Sequence, residues 1–408
     1  MNLITEFREG FHISWDAVRA HKMRSTLATL GIVIGIVTVT LMAAAIQGLN
    51  NAFMSSISAL GSDVFYVQQR SWFNQDENDY LRSQRRRPIQ VREAEALIGK
   101  LDLSQAIAPV AYDMDPVKYK TRRADSVVII GTTEDYLKTS GITVADGRFI
   151  TAADAEGGRP ICVIGSDVAS NLFRGDMAVG SSVKIEDQSF QVVGVLEKQG
   201  SMLGWSLDNR IVVPLRAFLR NIWSRPSVEI QVKAKPGAAL DEARGELRET
   251  MRHIRHLPPN RRDDFAINQQ EELVKKFHEM TAGIALVGIF ITSLSLFVGG
   301  IGIMNIMFVS VAERTREIGV RKAIGAKRRA ILLQFLTEAA CICLLGGGIG
   351  LGIAWSLTFA VKHALPVTMS WPLVLLAMLV SLLTGLVSGF LPAWRAARMN
   401  PVDALRNE

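Results

Sequence analysis

With 408 residues, 49% of them hydrophobic and 21% charged, the chain is long enough for several folded parts and too apolar to be a disordered, self-repelling one. A formal net charge of +7 raises a nucleic-acid partner, but the basic residues crowd beside long apolar runs, where anionic headgroups and the positive-inside bias place them. Nucleic-acid binding is set aside on that ground. The three cysteines, Cys162, Cys341 and Cys343, supply no disulfide framework for a soluble domain and no CxxC metal or redox motif.

Residues 1–26 read as an amphipathic approach to a membrane. Residues 27–46 follow as twenty residues without formal charge, enough to cross about 30 Å of hydrocarbon at about 1.5 Å per residue. No small-residue cleavage site of the usual kind follows, so this run is expected to be an uncleaved anchor rather than a signal peptide. Three further spans are expected over 281–312, 331–361 and 371–394, joined by a connector at 313–330 and a short external turn at 362–370. The second and third are longer than a bilayer needs.

Orientation follows from the short flanks. Arg19, Lys22 and Arg24 precede the first span. Seven Lys or Arg against two Glu lie between the second and third, and Arg395, Arg398 and Arg406 follow the fourth. With four crossings all three basic flanks fall on one side. Both termini are therefore expected in the cytoplasm, with residues 47–280 forming one large external domain and 395–408 a cytoplasmic tail.

That external domain mixes signals. DVFYVQQ (63–69), DSVVIIG, RPICVIG, SSVKIEDQSFQVVGVL, NRIVVPL and SVEIQVKA read as strands beside Gly, Pro or Asp, while VREAEALIGKL (91–101) and LDEARGELRETMRHI (240–254) carry helical periodicity. The fold class expected is an α-helical membrane part of four transmembrane helices plus a large mixed α/β external domain. A strand, helix, strand unit near its end suggests a small sheet backed by helices, and the strand-rich stretch of about 125–215 an inserted β-rich subdomain. In GSMLGWSLDN (200–209), Met202, Leu203 and Trp205 ride a glycine-bearing loop that either contacts a partner or folds back on its own domain.

Inside the spans, Gly31 and Gly35 stand four apart, and Gly299, Gly300 and Gly302 form a small patch in the second helix. Such spacing lets helices approach closely, either within the chain or across a dimer seam. Glu338 sits two turns into the third span, where an acid requires a protein-facing or headgroup-level partner; a structural role is favoured over an ion pathway.

Chemistry is sparse. No GxxxxGK[ST] loop cradles nucleotide phosphates. His253 and His256 lie three apart but among Arg252 and Arg255, whose charge opposes a bound cation, so a solvated helix face is the reading there. No nucleophile elbow stands out, and the chain is not expected to be an enzyme.

The connector AERTREIGVRKAIGAKRRAI (312–331) is charged yet lies between two of the most apolar segments, and a charge at bilayer centre costs at least about 2.5–3.5 kcal/mol. It must lie outside the hydrocarbon. Ile318, Val320 and Ile324 among its charges suit a short amphipathic helix that seats in a groove of a soluble partner, against the plainer reading of a basic loop that only fixes topology.

KMRSTLATLGIVIG (22–35), AERTREIGVRKAIGAKRRAILLQFLTEA (312–339) and LPAWRAARMNPVDALRNE (391–408) together resemble the MacB/FtsX superfamily of ABC transporter permeases. RPICVIGSDVASNLF (159–173) and QVVGVL (191–196) resemble its MacB branch, so the likeness spans nearly the whole chain. The resemblance implies a homodimer in the bacterial inner membrane, four helices per chain, and a periplasmic domain with a porter-like α/β part and an inserted β part. It also implies mechanotransmission, in which closure of ATP-bound subunits moves the external domains. On this reading Glu313, Arg314, Arg316, Glu317, Gly319, Arg321 and Gly325 form the ATPase-coupling element, and Arg395, Pro401, Leu405 and Arg406 a second cytoplasmic contact.

MacB proteins carry an N-terminal ATPase, whereas this sequence begins almost directly at its first span. The resemblance therefore places ATP and magnesium in a separate ABC ATPase subunit, with no cofactor in this chain. It implies a periplasmic membrane-fusion adaptor and a TolC-like outer-membrane duct as further partners, and efflux of a periplasmic substrate as the function. A lipoprotein-releasing permease uses the same plan, an FtsX-like regulator of cell-wall hydrolases is a simpler relative, and a non-ABC receptor or scaffold is the reading from a different class.

Overall fold

A computed structural model describes residues 22–57, 61–73, 77–202, 205–222, 227–361, 367 and 369–406. The approach segment expected over 1–26 lies outside the described residues as far as residue 21, as do Leu203 and most of the expected external turn. The chain divides into two compact units, Met1–Ala52 with His278–Glu408, and Phe53–Phe277. Helix α1 (Lys22–Ile57) runs from the first into the second.

In the unit Phe53–Phe277 the strands are β1 (Val64–Gln68), β2 (Ser104–Tyr119), β3 (Arg122–Thr132), β4 (Val144–Gly147), β5 (Ile161–Ile164), β6 (Ser182–Ile185), β7 (Gln188–Leu196), β8 (Ser201–Met202), β9 (Trp205–Ser206), β10 (Arg210–Pro214), β11 (Glu229–Ala234) and β12 (Ala266–Gln269). Its helices are α2 (Glu77–Gln84), α3 (Val91–Leu97), α4 (Tyr136–Ser140), α5 (Ala152–Gly157), α6 (Ser166–Phe173), α7 (Leu215–Asn221) and α8 (Leu240–Ile254). The main sheet runs β12-β1-β11-β2-β3-β10-β5-β7-β4, and β8 pairs only with β9.

Strands β11 and β12 both lie antiparallel to β1, one on each side, and α8 makes the connection between them. This is a split strand, helix, strand unit. Ala94 and Leu97 of α3 and Ala243, Leu247 and Met251 of α8 join the buried cluster that includes Phe65, Val67, Ile230 and Val232, so both helices press their apolar stripes on this sheet.

The other half closes on itself. Strand β6 pairs with β2 on one side and β7 on the other, so β2, β3, β10, β5, β7 and β6 form a six-stranded barrel. Strand β2 serves both halves: Ser104–Val110 pairs with β11, and Ala111–Tyr119 with β3. The alternating runs of the sequence explain the filling, because Val183 and Ile185 of β6, Phe190 and Val192 of β7, and Val127 and Ile129 of β3 share one apolar core. Strand β5 is apolar on both faces: Cys162 and Ile164 enter that core, while Ile161 and Val163 join a second cluster with Phe149 and Leu196. Burial pushes the Cys162 thiol well above its ordinary range.

The roots of the loop GSMLGWSLDN are tied down by hydrogen bonds. Asp208, 3% exposed, accepts hydrogen bonds from the backbone amides of Gln199 and Gly200 at 2.8 Å each, and Ser206 donates to Asp167. Met202 pairs with Trp205 in the short β8/β9 ladder.

Helix α9 (Gln270–Glu313) begins at the residue after β12. Beyond it come α10 (Thr315–Ala323), α11 (Arg328–Val361), α12 (Trp371–Arg398) and α13 (Pro401–Arg406). Helices α1, α9, α11 and α12 are each long and apolar enough to cross a membrane. Ile284, Val287, Phe290, Leu294, Phe297 and Val298 of α9 stand exposed, as a helix bathed in lipid would present them.

Glycines decide how closely these helices meet. A Cβ built on Gly31 would lie 2.7 Å from the Gly299 Cα, and one on Gly299 would lie 2.9 Å from the Ile32 backbone nitrogen. Gly35 faces Leu296 and Gly300 faces Ser388, and Gly302 is half-buried beside them. These contacts all lie within one chain. Between α11 and α12, Gly385 abuts Cys343 and Gly389 abuts Ala339, and Ser381 donates to the Cys343 carbonyl at 2.6 Å. Gly31→Ala is expected to lower stability by about 1–3 kcal/mol, because the added methyl meets backbone that cannot rotate aside. Gly348→Ala, which would meet nothing within 4 Å, should be neutral. Thermal unfolding in detergent measures both, and equal melting of the two variants would refute the close contact.

Candidate coupling site

The sequence explains why the connector breaks where it does. Thr315 donates its hydroxyl to the carbonyls of Val311 at 3.1 Å and Ala312 at 2.8 Å, drawing off acceptors at the end of α9. The backbone turns at Arg314 (φ −99°, ψ 14°), and α10 starts at once. Gly325, with φ of 97°, supplies the left-handed turn into α11 that a residue with a Cβ adopts only under strain.

Helix α10 is anchored from three directions. Ile318, 3% exposed, enters the core shared by Ile303, Met307, Ile331 and Phe335, with Gly319 buried next to it. Arg321 forks between Glu317 at 2.5 Å and the Gln334 side-chain oxygen at 2.6 Å. Arg314 pairs with Glu338 of α11 at 3.5 Å, giving the membrane-embedded acid, 3% exposed, its counter-charge. Lys322 donates to the carbonyls of Ala397 at 2.8 Å and Met399 at 2.5 Å, where a cation also complements the C-terminal end of the α12 dipole. Burial, with the nearby Arg328, lowers the affinity of the Lys322 amine for its proton.

What remains outward is a depression. Glu313, Arg314, Arg316, Glu317, Val320 and Arg321 line an open hollow of about 600 Å³. Of the three apolar residues singled out in the connector, Ile318 is spent inside, while Val320 and Ile324 stand 45% and 81% exposed. Five of the seven coupling candidates line the hollow together with Val320; Gly319, buried, and Gly325, in the turn after α10, do not.

The tail packs on this element through α13, with Ala404 3% exposed. Pro401 opens α13 and is half-buried; Leu405 and Arg406 lie in its last turn. Arg395 projects over the Phe308 ring at 5.9 Å and Arg398 over Trp394 at 4.3 Å. Gln334 and Lys322 carry no motif that marks them, because their partners are distant in sequence and, for Lys322, are backbone carbonyls.

Two family models match the chain. The MacB-like periplasmic core domain matches residues 25–250, and the FtsX-like permease C-terminal domain matches residues 289–401. The chain belongs to the MacB/FtsX-like permease family. This MacB-like permease is 32% identical over its full length to the macrolide export ATP-binding/permease protein MacB of Rhodospirillum rubrum, and 28% identical over 99% of its length to the MacB of Syntrophobacter fumaroxidans. It spans 62% and 64% of those two relatives. The crystallised periplasmic region of MacB from Actinobacillus actinomycetemcomitans aligns with 54% of this chain and 95% of its own at 18% identity, with a TM-score of 0.45. The chain thus carries a MacB-like periplasmic core domain and an FtsX-like permease domain, and the expected fold class holds, the β-rich part being a barrel.

Proposed function

We propose that this permease turns ATP binding and hydrolysis by an ABC ATPase into motion of its periplasmic domain, and that this motion drives efflux of a periplasmic substrate. These 408 residues hold no phosphate-cradling loop, so the ATPase is a partner outside them, taken here as a separate subunit. It seats on the hollow rimmed by Glu313 to Arg321, with Val320 and Ile324 as apolar anchors and Arg316 as the outward charge. The chain acts as a homodimer in the inner membrane, both termini and α10 in the cytoplasm, and hands its substrate to a membrane-fusion adaptor and an outer-membrane duct.

One observation carries the reading. Helix α9 runs unbroken from Glu313, at the hollow's rim, to the strand β12, with no loop between helix and sheet. Its 44 residues extend about 66 Å at about 1.5 Å per residue, roughly twice the hydrocarbon thickness. Arg244 of α8 holds Glu272 in its first turn at 2.5 Å, and Phe277 stacks on Phe53 of α1 at 3.9 Å with the rings 8° apart. A displacement at Glu313 therefore has a stiff path to a sheet strand rather than a linker that absorbs it.

Single cysteines at Arg316 and at Glu156, probed in intact cells with a membrane-impermeant maleimide, test the geometry. The expected result is labelling at position 156 and protection at position 316 until the inner membrane is opened. Labelling of both from the same side would remove the proposed path. Crosslinking in cell envelopes should recover an adaptor, whereas recovery of acylated lipoproteins on the external domain would select the lipoprotein-releasing reading.

A further inference from the structure

Three of the chain's five tyrosines meet in one place. Tyr66 of β1, Tyr112 of β2 and Tyr136 of α4, together with Trp72, wall a cavity of about 370 Å³ in the unit Phe53–Phe277. That volume is within the usual range for small-molecule sites. The rings are positioned by the fold: Tyr66 lies opposite Gln231 in the β1/β11 ladder, Tyr112 opposite Ile130 in the β2/β3 ladder, and the Tyr66 and Trp72 rings sit 5.2 Å apart.

Two charges of opposite sign share this cavity. Glu229 accepts hydrogen bonds from Gln231 at 2.8 Å, from the Tyr112 hydroxyl at 3.3 Å, and from Gln68, all of them neutral donors. Arg210 donates to the Leu207 carbonyl and the Gln199 side-chain oxygen, both neutral acceptors. Among the described residues neither makes a salt bridge. Tyr136 lies within electrostatic reach of both, so they flank the same ring. Crowding by the cavity wall raises the Glu229 carboxyl above its ordinary range in spite of its three hydrogen bonds. Half-buried charges left without counter-charges gain from an oppositely charged ligand group that comes within reach of them.

We infer that this cavity binds a small zwitterion of the amino-acid or short-peptide class, its ammonium on Glu229 within the aromatic wall and its carboxylate on Arg210, with an apolar side chain against the rings. An ammonium gains both the carboxylate and the faces of tyrosine and tryptophan. A carboxylate gains a guanidinium, whose planar fork suits a carboxylate in bidentate contact. The two demands together exclude a simple amine, which would meet Arg210, and a simple anion, which would meet Glu229. The site deepens the efflux reading by giving the cargo a chemical class.

Isothermal titration of the full-length protein in detergent tests it, with no nucleotide or partner present, so failure of coupling and failure of binding are read separately. The probes are L-phenylalanine, glycyl-L-phenylalanine and diglycyl-L-phenylalanine, which set the two charges at increasing separation. At least one should bind saturably, and N-acetylation or C-amidation of that compound should each weaken it about tenfold or more. Glu229→Gln should abolish the penalty for acetylation and Arg210→Met the penalty for amidation. The proposal is overturned if none of the three binds, if capping either end changes nothing, or if both penalties survive in folded variants. The capped compounds on the unaltered protein decide the matter even where a variant does not fold.

Discussion

Arg314→Ala should lower the stability of the membrane unit by about 3 kcal/mol, the lower end of what is lost when one partner of a buried ion pair is removed. Glu338 is 3% exposed, and Arg314 is the cation that reaches it, at 3.5 Å. Truncating the arginine strands a carboxyl group among apolar helices, whereas Glu338→Gln removes the charge that needed company. The double variant Arg314→Ala with Glu338→Gln should therefore recover most of the loss, giving a strongly non-additive cycle. Denaturant or thermal unfolding in detergent, with each variant's membrane insertion checked first, reads the cycle. Additive losses would mean that the pair contributes nothing as a pair. Because this contact ties the break after α9 to α11, the same variants should also loosen α10 against its neighbours.

The second large effect concerns force rather than stability. Inserting Gly-Gly-Ser-Gly after Met280 should leave ATP hydrolysis by the assembled complex intact and reduce substrate efflux about tenfold or more. Glycine costs up to about 1 kcal/mol per residue in a helix, so three glycines with a serine among them turn a rod into a joint. Inserting four alanines at the same place keeps the helix and changes its length by about 6 Å. Efflux should suffer far less there. Full transport with the glycine insert would show that α9 does not carry the motion, whatever its length.

The four spans were legible because a bilayer demands about twenty apolar residues in a row, and few other structures produce such runs. The strands of the external domain were legible one by one, since RPICVIG and QVVGVL are apolar runs bounded by breakers. Closure of the barrel was not, because it depends on Val117↔Ile185 and Lys118↔Lys184 pairing across more than sixty residues, and a four-residue strand leaves no local record of its partner. Within the connector, the charges and the glycines stood out, but which apolar residue turns inward did not: Ile318 and Ile324 read alike in sequence and differ only in what α9 and α11 set beside them. Glu338 announced the need for a partner without naming Arg314. Glu229 and Gln231 gave no signal at all, because polar residues alternating with Val228, Ile230 and Val232 look like the watered face of an ordinary half-buried strand.

Strand β2 gives the external domain a particular mechanical character. Its sixteen residues are one stave common to the barrel and to the split sheet, hydrogen-bonded to β11 along its first half and to β3 along its second. Prising the two apart would rupture a backbone ladder rather than flex a tether. On the proposed mechanism, a push delivered at β12 would tilt split sheet and barrel together, like a paddle without a wrist.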